Sequence, residues 1–367
     1  MKTPYVDLKL QWRKDKSKLL PLIEKVLSKG SYVIGEEVDK FEKSIAKYCN
    51  SKYAVAFNSG TDALTFGLIL LGVRKGDEVI TPPNSFISST SSIVHVGAKP
   101  VFADVLDDQN IDPKEIEKKI TKKTKAIMPV HLTGRVCRMN EIKKISNKYK
   151  IPIIEDAAQS IGSKYYNKKS GTFGDISCFS VHPLKNLNAC GDGGFFVTNN
   201  YEFFKKAKKL RNHGLEDRNI VKNYGYISRM DVVQSCILNY RLKTLKDTIT
   251  KRRQNATFYL KNLNRDFYKI VEEKKYEYNT YHTFVVQTSK RNQLIKFLKK
   301  KGIGTAIHYP IPIHLQPASK YLNYKKGDFP VAEEQSKRIL TIPIHQNLKQ
   351  KELKNVVLLM NKFAIDN

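Results

Sequence analysis

Between Tyr53 and Glu155 the chain repeats one pattern: a short apolar run, then a segment with helical spacing. Tyr53 to Phe57, Glu78 to Thr81, Val101 to Val105, Lys125 to His131 and Ile151 to Glu155 read as strands. Thr61 to Leu71, Ser85 to Val96 and Met139 to Tyr149 read as the helices between them. Successive strand–helix units set their strands side by side and parallel, with helices over both faces. The predicted fold class is therefore α/β, with a mostly parallel central sheet. In such sheets ligands bind beyond the carboxyl ends of the strands. Three candidate positions follow strands directly: Ser59-Gly60-Thr61, Phe86 and Asp156.

The rhythm is not kept throughout. Upstream lie a short extended piece (Tyr5, Val6, Leu8), a helix through Leu19 to Leu27 stopped by Gly30, and a second helix marked by Phe41, Ile45 and Tyr48. After about residue 245 the pattern changes. Tyr281 to Gln287 reads as a strand, Asn292 to Lys301 as a helix, and Glu352 to Phe363 as a final helix, with a proline-rich loop PIPIHLQP between. A chain of 367 residues exceeds one simple core. The reading is a large domain over 1–245, whose N-terminal segment can pack with the small domain, and a smaller α+β domain over 246–367.

The net charge of +30 raises the question of nucleic acid. The lysines are spread along the whole chain, and runs such as Lys118 to Lys125 alternate with apolar helix positions, as solvated faces do. There is no aromatic–basic recognition motif and no zinc-finger spacing, so nucleic acid is not expected as a partner. A positive field still attracts small anionic substrates. The longest apolar run, Phe66 to Val73, is too short to span a bilayer. The start, MKTPYVDLKLQW, has no apolar signal core, and the five cysteines are scattered without a CxxC pair. A cytoplasmic protein with free thiols is expected, with no metal site.

The stretch ISCFSVHPLKNLNACGDGG (Ile176 to Gly194) carries the chemistry. A buried strand ends at Ser180, and Lys185 follows among Leu184, Asn186 and Leu187. A lysine held there can form a Schiff base with a carbonyl compound; taken alone it can equally be a surface lysine in a turn. Ser59-Gly60-Thr61 closes a strand and opens a helix, where unpaired N–H groups bind phosphate, or simply cap the helix. Asp156 ends an apolar strand, and a carboxylate there needs a partner such as a protonated ring nitrogen, unless it caps the next helix. Gln159 can reach a ring hydroxyl, and Phe86 can stack on a flat ring or belong to the core. Phosphate, ring, ring nitrogen and aldehyde are the handles of pyridoxal 5′-phosphate (PLP), and a lysine with an acidic pyridinium partner is its binding pattern. No G-x-G-x-x-G in a strand–helix turn and no Walker A sequence supports a nucleotide cofactor instead.

Across nearly its whole length the chain resembles the DegT/DnrJ/EryC1/StrS sugar aminotransferases, which have fold type I among PLP enzymes. The resemblance rests on YVDLKLQW, NSGTDAL, GDEVITPPNSFIS, PVHLTG, IIEDAAQSIGS, GTFGDISCFSVHPLKN, GDGG, LRNHG and IHYPIPIHLQPA. It implies Lys185 as the Schiff-base lysine and Asp156 on the pyridine nitrogen. It sets Gln159 near the ring oxygen, Gly60, Thr61 and Ser180 on the phosphate, and Phe86 over the ring. The C-terminal segment resembles the branch that aminates C3 of dTDP- or UDP-linked keto-hexoses with glutamate as donor, for polysaccharide or related glycan synthesis. His308, Tyr309 and Arg211 would then contact the substrate. The resemblance also implies a homodimer with shared active sites. One departure stands out: where the family often has G-x-N-x-R, this chain reads GYISR, with Ile227 in place of the asparagine that reaches the partner's phosphate. Amination at C4, a PLP-dependent dehydratase and a non-catalytic protein on the same fold are the alternatives.

Overall fold

The structure is a computed structural model and describes residues 2–367. In chain order the first elements are α1 (Leu8–Ser28), α2 (Glu36–Cys49), β1 (Tyr53–Phe57), α3 (Gly60–Leu70), β2 (Glu78–Thr81), α4 (Ile87–His95), β3 (Lys99–Phe102), α5 (Pro113–Lys118) and β4 (Thr124–Ile127). Next come α6 (Met139–Tyr149), β5 (Ile154–Asp156), β6 (Lys164–Tyr165), β7 (Lys168–Lys169), β8 (Ile176–Ser180), β9 (Gly194–Thr198), α7 (Tyr201–Leu210) and α8 (Val232–Asn262). The chain ends with β10 (Glu277–Tyr278), β11 (Phe284–Gln287), α9 (Arg291–Lys300), α10 (Pro330–Arg338), β12 (Ile339–Ile342) and α11 (Gln350–Ile365).

The strands of the large unit run in the orders β1-β9-β8-β5 and β3-β2-β4. Parallel bridges Ile127–Ile153 and Val130–Asp156 join the two sets edge to edge, from the β4 side to β5. Only β9 runs antiparallel to its neighbours β1 and β8; the β5–β8, β2–β3 and β2–β4 pairs are parallel. Side chains alternate between the two faces, as the two-residue strand period requires. Ala54 and Ala56 pack under α2 with Phe41 and Ile45, while Val55 and Phe57 face α3 with Phe66 and Leu68. Both faces are covered, which is why the strands read as continuous apolar runs.

The element boundaries differ from expectation where polar residues hide a helix. The first helix begins at Leu8 rather than Leu19, because Asp7 accepts a hydrogen bond from the Leu10 N–H (2.8 Å) and the charged face through Lys18 carries no apolar period. The helix expected from Ser85 begins at Ile87, with Phe86 extended (φ −65°, ψ 145°) after the proline pair. Strand β4 stops at Ile127, and the chain runs on through isolated pairing to His131. Residue 245 lies inside α8, which is unbroken from Val232 to Asn262. Leu245 and Ile249 of α8 join the large core, and Ala256 and Tyr259 join a second core with β11, β12, α9 and α11. The segment between α9 and β12 leaves that second core. Ile313, Leu322, Phe329 and Ala332 pack against Phe102 and Val105. Asp104 caps α10 through the Val331 and Ala332 N–H groups (both 3.0 Å).

Candidate active site

The carboxyl ends of β1, β5 and β8 and the start of the antiparallel β9 meet at one edge of the sheet. There they floor a cavity of about 280 Å3 lined by residues of both cores, among them Gly60, Thr61, Phe86, Asp156, Gln159, Ser180, Lys185, His308 and Tyr309. Nine of the ten expected site residues are thus brought together.

The anion cradle is built from backbone. Ser59 caps α3 by accepting from the Asp62 N–H (3.0 Å), which leaves the first N–H groups of the helix directed at the cavity. Close approach demands the glycines on either side. A Cβ on Gly60 would lie 2.8 Å from the Ser180 Cβ, and one on Gly194 would lie 2.4 Å from the Gly60 nitrogen. Thr61 donates its hydroxyl to Ser88 (2.9 Å), so that hydroxyl is held at the rim.

Asp156 is 4% exposed at the end of β5. Its Oδ2 accepts from the Ser89 hydroxyl (2.6 Å) and its Oδ1 from the Ala158 N–H (3.1 Å). The carboxylate has no cationic side chain in salt-bridge reach among the described residues. Beside it in the same strand, Glu155 is fully buried and points the other way. It accepts from Ser177 (2.6 Å) and from the N–H groups of Gly171, Phe173 and Gly174, and contacts His131 Nε2 at 2.8 Å. Burial pushes its pKa up, but those partners outweigh it and hold the group below the ordinary range. Glu155 is therefore structural: it anchors the 171–177 loop and thereby the β5–β8 edge that carries Asp156.

Lys185 sits in a loop pinned at both ends, by Lys185 N–H to His182 O (2.8 Å) and Ala189 N–H to Val181 O (2.7 Å). Asn186 ties the same loop to the Thr280 carbonyl (3.2 Å). The enclosed ammonium has no hydrogen-bond partner among the described residues. Burial lowers its pKa to about 8, against a smaller upward pull from Asp156. That shift raises the share of free amine at neutral pH far above that of an ordinary lysine, as nucleophilic and general-base work requires.

The ceiling comes from the C-terminal half. Gln159 accepts from the Thr133 N–H (2.8 Å), and its amide nitrogen is 3.5 Å from the Tyr309 hydroxyl. Phe86 leans over the opening, 54% exposed, its ring centroid 5.9 Å from that of Tyr309. His308 contacts the Thr341 hydroxyl (2.9 Å), and burial, reinforced by Lys185, lowers its pKa to about 4, so it is neutral. Burial pushes the Tyr309 phenol up, so it keeps its proton.

Arg211 does not reach this cavity. It is the C-cap residue of α7, and its guanidinium is engaged by Glu42 and the Ala56 carbonyl, both buried. Glu42 on α2 also accepts from the Ala56 N–H (2.9 Å) and needs that counter-charge where it lies. The loop signature LRNHG carries no sign of this, because Glu42 is remote in sequence. Ile227 is 60% exposed and pairs with Asn212, away from the cavity of its own chain. Arg252, His282 and His345 of the cavity lining went unread in the sequence, as did Ser89, which is buried behind Asp156 and donates to it. Ser89 belongs to a serine-rich helix, and Arg252 lies in a basic run that reads as a solvated helix face.

An α/β sheet with one antiparallel strand, carrying at its carboxyl edge a glycine-lined anion cradle, a buried carboxylate and a lysine of lowered pKa, defines the PLP-dependent aminotransferase class. The residues present fit the group: the first N–H groups of α3 suit a phosphate, and the buried Asp156 carboxylate, without a cationic partner among the described residues, suits a protonated ring nitrogen. The chain belongs to the DegT/DnrJ/EryC1/StrS aminotransferase family, whose profile matches residues 13–361. It is similar to the dTDP-3-amino-3,6-dideoxy-alpha-D-galactopyranose transaminase of Aneurinibacillus thermoaerophilus, at 37% identity over 98% of this chain and 99% of that one. It is equally similar, at 37% identity over 97% of both chains, to a protein of Geobacillus stearothermophilus named a pleiotropic regulatory protein. Among solved structures, DesV of S. venezuelae in complex with a ketimine intermediate superposes with a TM-score of 0.96, at 34% identity, over 99% of this chain and 98% of that one. Two further solved neighbours hold the cofactor as PLP or as its amine form. The protein is thus a PLP-dependent aminotransferase.

Proposed function

We propose that this aminotransferase moves an amino group from glutamate to C3 of a keto-hexose carried on dTDP or UDP, yielding a 3-amino sugar nucleotide for a surface polysaccharide or related glycan. The observation that carries the reading is Lys185: an enclosed lysine of lowered pKa in one cavity with Asp156. The name of the Aneurinibacillus relative supports the C3 sugar substrate.

When bound, PLP supplies an electron-withdrawing ring that stabilises negative charge at the carbon losing its proton. The chain supplies the rest. Lys185 Nζ takes the proton from the α-carbon of the amino donor and returns one to the sugar carbon in the second half-reaction. Asp156 keeps a proton on the ring nitrogen, and Ser89 holds that carboxylate in place. Gly60, Thr61 and Ser180 would hold the phosphate, Gln159 would hydrogen-bond the ring oxygen, and Phe86, leaning over the opening, would shield the ring from water. His308 and Tyr309, both uncharged, orient the sugar through hydrogen bonds. Arg211 is left out of this set.

The same reading takes the working enzyme as a cytoplasmic homodimer with shared sites, divided near residue 245 into a cofactor-binding unit and a C-terminal unit. In favour of solubility, no helix among the described residues is long and apolar enough to cross a membrane. The test is stoichiometric. Protein given glutamate and a dTDP- or UDP-linked 3-keto-hexose is expected to release one 2-oxoglutarate per keto-sugar consumed, and K185A to release none. Sugar consumed without 2-oxoglutarate would make the enzyme a dehydratase, and turnover by K185A would remove the lysine from the chemistry.

A further inference from the structure

Four arginines are buried among the described residues: Arg135, Arg211, Arg241 and Arg252. Three of them have a carboxylate partner, in Glu277, Glu42 and Asp15 respectively. Arg252 has none among the described residues. It is the most buried of the four, at 3% exposure, and it alone lines the cavity that holds Lys185.

Its surroundings hold the guanidinium without neutralising it. One nitrogen, Nη1, donates to the carbonyls of Tyr281 (3.2 Å) and His282 (3.1 Å), while Nε is buried with no partner. Those bonds fix the plane of the fork. The titratable neighbours facing it are Tyr5, His282 and His345, and none supplies a negative charge. Burial raises the Tyr5 phenol to about 12, so it is protonated. Burial, with Arg252 among the further causes, lowers both histidines below their ordinary range, so they are neutral. Burial brings Arg252 itself down to about 10, still a cation at neutral pH. A buried charge without a counter-ion is costly, and here the side chain opens on a ligand cavity. The missing counter-ion is one that arrives with a ligand.

We propose that Arg252 anchors a carboxylate of the amino donor, an assignment that rests on the reading of this chain as an amino-acid-dependent transaminase. The planar fork of a guanidinium matches a carboxylate with two parallel hydrogen bonds. The position favours a small ligand group over a nucleotide diphosphate. Arg252 lies at the closed end of the cavity, whereas Phe86, His182 and Leu184 are exposed at its open side, where a bulky nucleotide can remain partly in solvent. The anion cradle at Gly60 belongs to another element and stays available for the cofactor.

The test uses holoenzyme, with R252Q and R252K, and two probes measured by calorimetry: 2-oxoglutarate and dTDP. Loss of a charge-assisted pair is expected to weaken 2-oxoglutarate about 10–100-fold in R252Q, with dTDP affinity and PLP content unchanged. R252K keeps the charge but loses the fork, so it should fall between, and it carries the test if R252Q does not fold. KM for glutamate should rise in parallel, with the keto-sugar KM unmoved. Unchanged 2-oxoglutarate affinity in a folded variant overturns the proposal, and so does a loss confined to dTDP, which would give Arg252 to the nucleotide. Failure of the wild type to bind 2-oxoglutarate overturns it as well. Failure of wild-type transamination with intact, Arg252-dependent carboxylate binding would instead overturn the catalytic reading alone.

Discussion

At the scale of single residues, the site works by withholding partners. Lys185 and Asp156 face one cavity, each without an ion pair of its own, and the cost of this can be measured. The Lys185 pKa is about 8 in the fold against 10.5 ordinarily. Below pH 8 both folded and unfolded chains carry the proton, and the fold bears the full cost of an enclosed ammonium. Between about 8 and 10.5 the unfolded chain binds more protons than the folded one, so stability rises with pH, and above that window the cost is gone. Part of the side chain faces open cavity, which screens the charge. K185M in the cofactor-free protein is therefore expected to be more stable than wild type at pH 7, by about 1–3 kcal/mol. The two should converge as pH approaches 10.5, and urea titrations at several pH values would show it. A gain that stays constant with pH would mean that side-chain volume, not charge, sets the difference. Asp156 was legible in the sequence because it ends an apolar strand, and Lys185 because it follows one, after Ser180, among apolar neighbours where a charge is conspicuous. Arg252 was not. In a chain with 65 lysines and arginines, the run Lys251-Arg252-Arg253 reads as one more solvated helix face, and only the fold reveals which of the three points inward.

At the scale of elements, the β1–α3 turn, the end of β8 and the start of β9 form one joint. The sequence shows Asn58-Ser59-Gly60-Thr61 and the Gly191 to Gly194 run, but not that they touch. Strand β9 returns antiparallel between β1 and β8, and no local pattern announces that pairing. The consequence is sharp at Gly194. A methyl group there would lie 2.4 Å from three backbone atoms of Ser59 and Gly60, none of which can swing aside. G194A is expected to lose about 1–3 kcal/mol of stability and to bind PLP at least tenfold more weakly, because the displaced atoms include the cradle nitrogen of Gly60. Absorbance titration with PLP checks the second effect and thermal unfolding the first. Retained PLP affinity would show that the cradle tolerates the shift.

At the scale of the whole molecule, the parallel sheet and its ligand edge were legible from the strand–helix rhythm. The partition of the C-terminal half was not, since α8 serves two cores without a break. Two short segments, Tyr32 to Ile34 and Ile220 to Ile227, each expose several apolar side chains close together, with Tyr224 at 95% exposure. The Tyr32 carbonyl accepts from the Val232 N–H (2.9 Å), and Val33 and Ile34 share a small pocket with Asn212 and Arg229, so the segments adjoin. Such a patch suits a homodimer interface. Sedimentation equilibrium is expected to find a dimer in the wild type and a monomer in the double variant Y224D/I227D. A variant that remains dimeric would move the interface elsewhere.

The packing of Phe329 and α10 against Phe102, Val105 and Asp104 bears on how this chain can be cut or recombined. The C-terminal half is laced onto the N-terminal one: it leaves through α8, returns to cover β3, and leaves again through β12. Neither half is a detachable module. A protease nick near residue 310 should leave two fragments that elute together. A chimera that exchanges everything after residue 245 with a relative would also have to carry the donor's residues at 102, 104 and 105. Breeding new sugar specificity into this scaffold by swapping tails is thus a three-point graft and not a single splice.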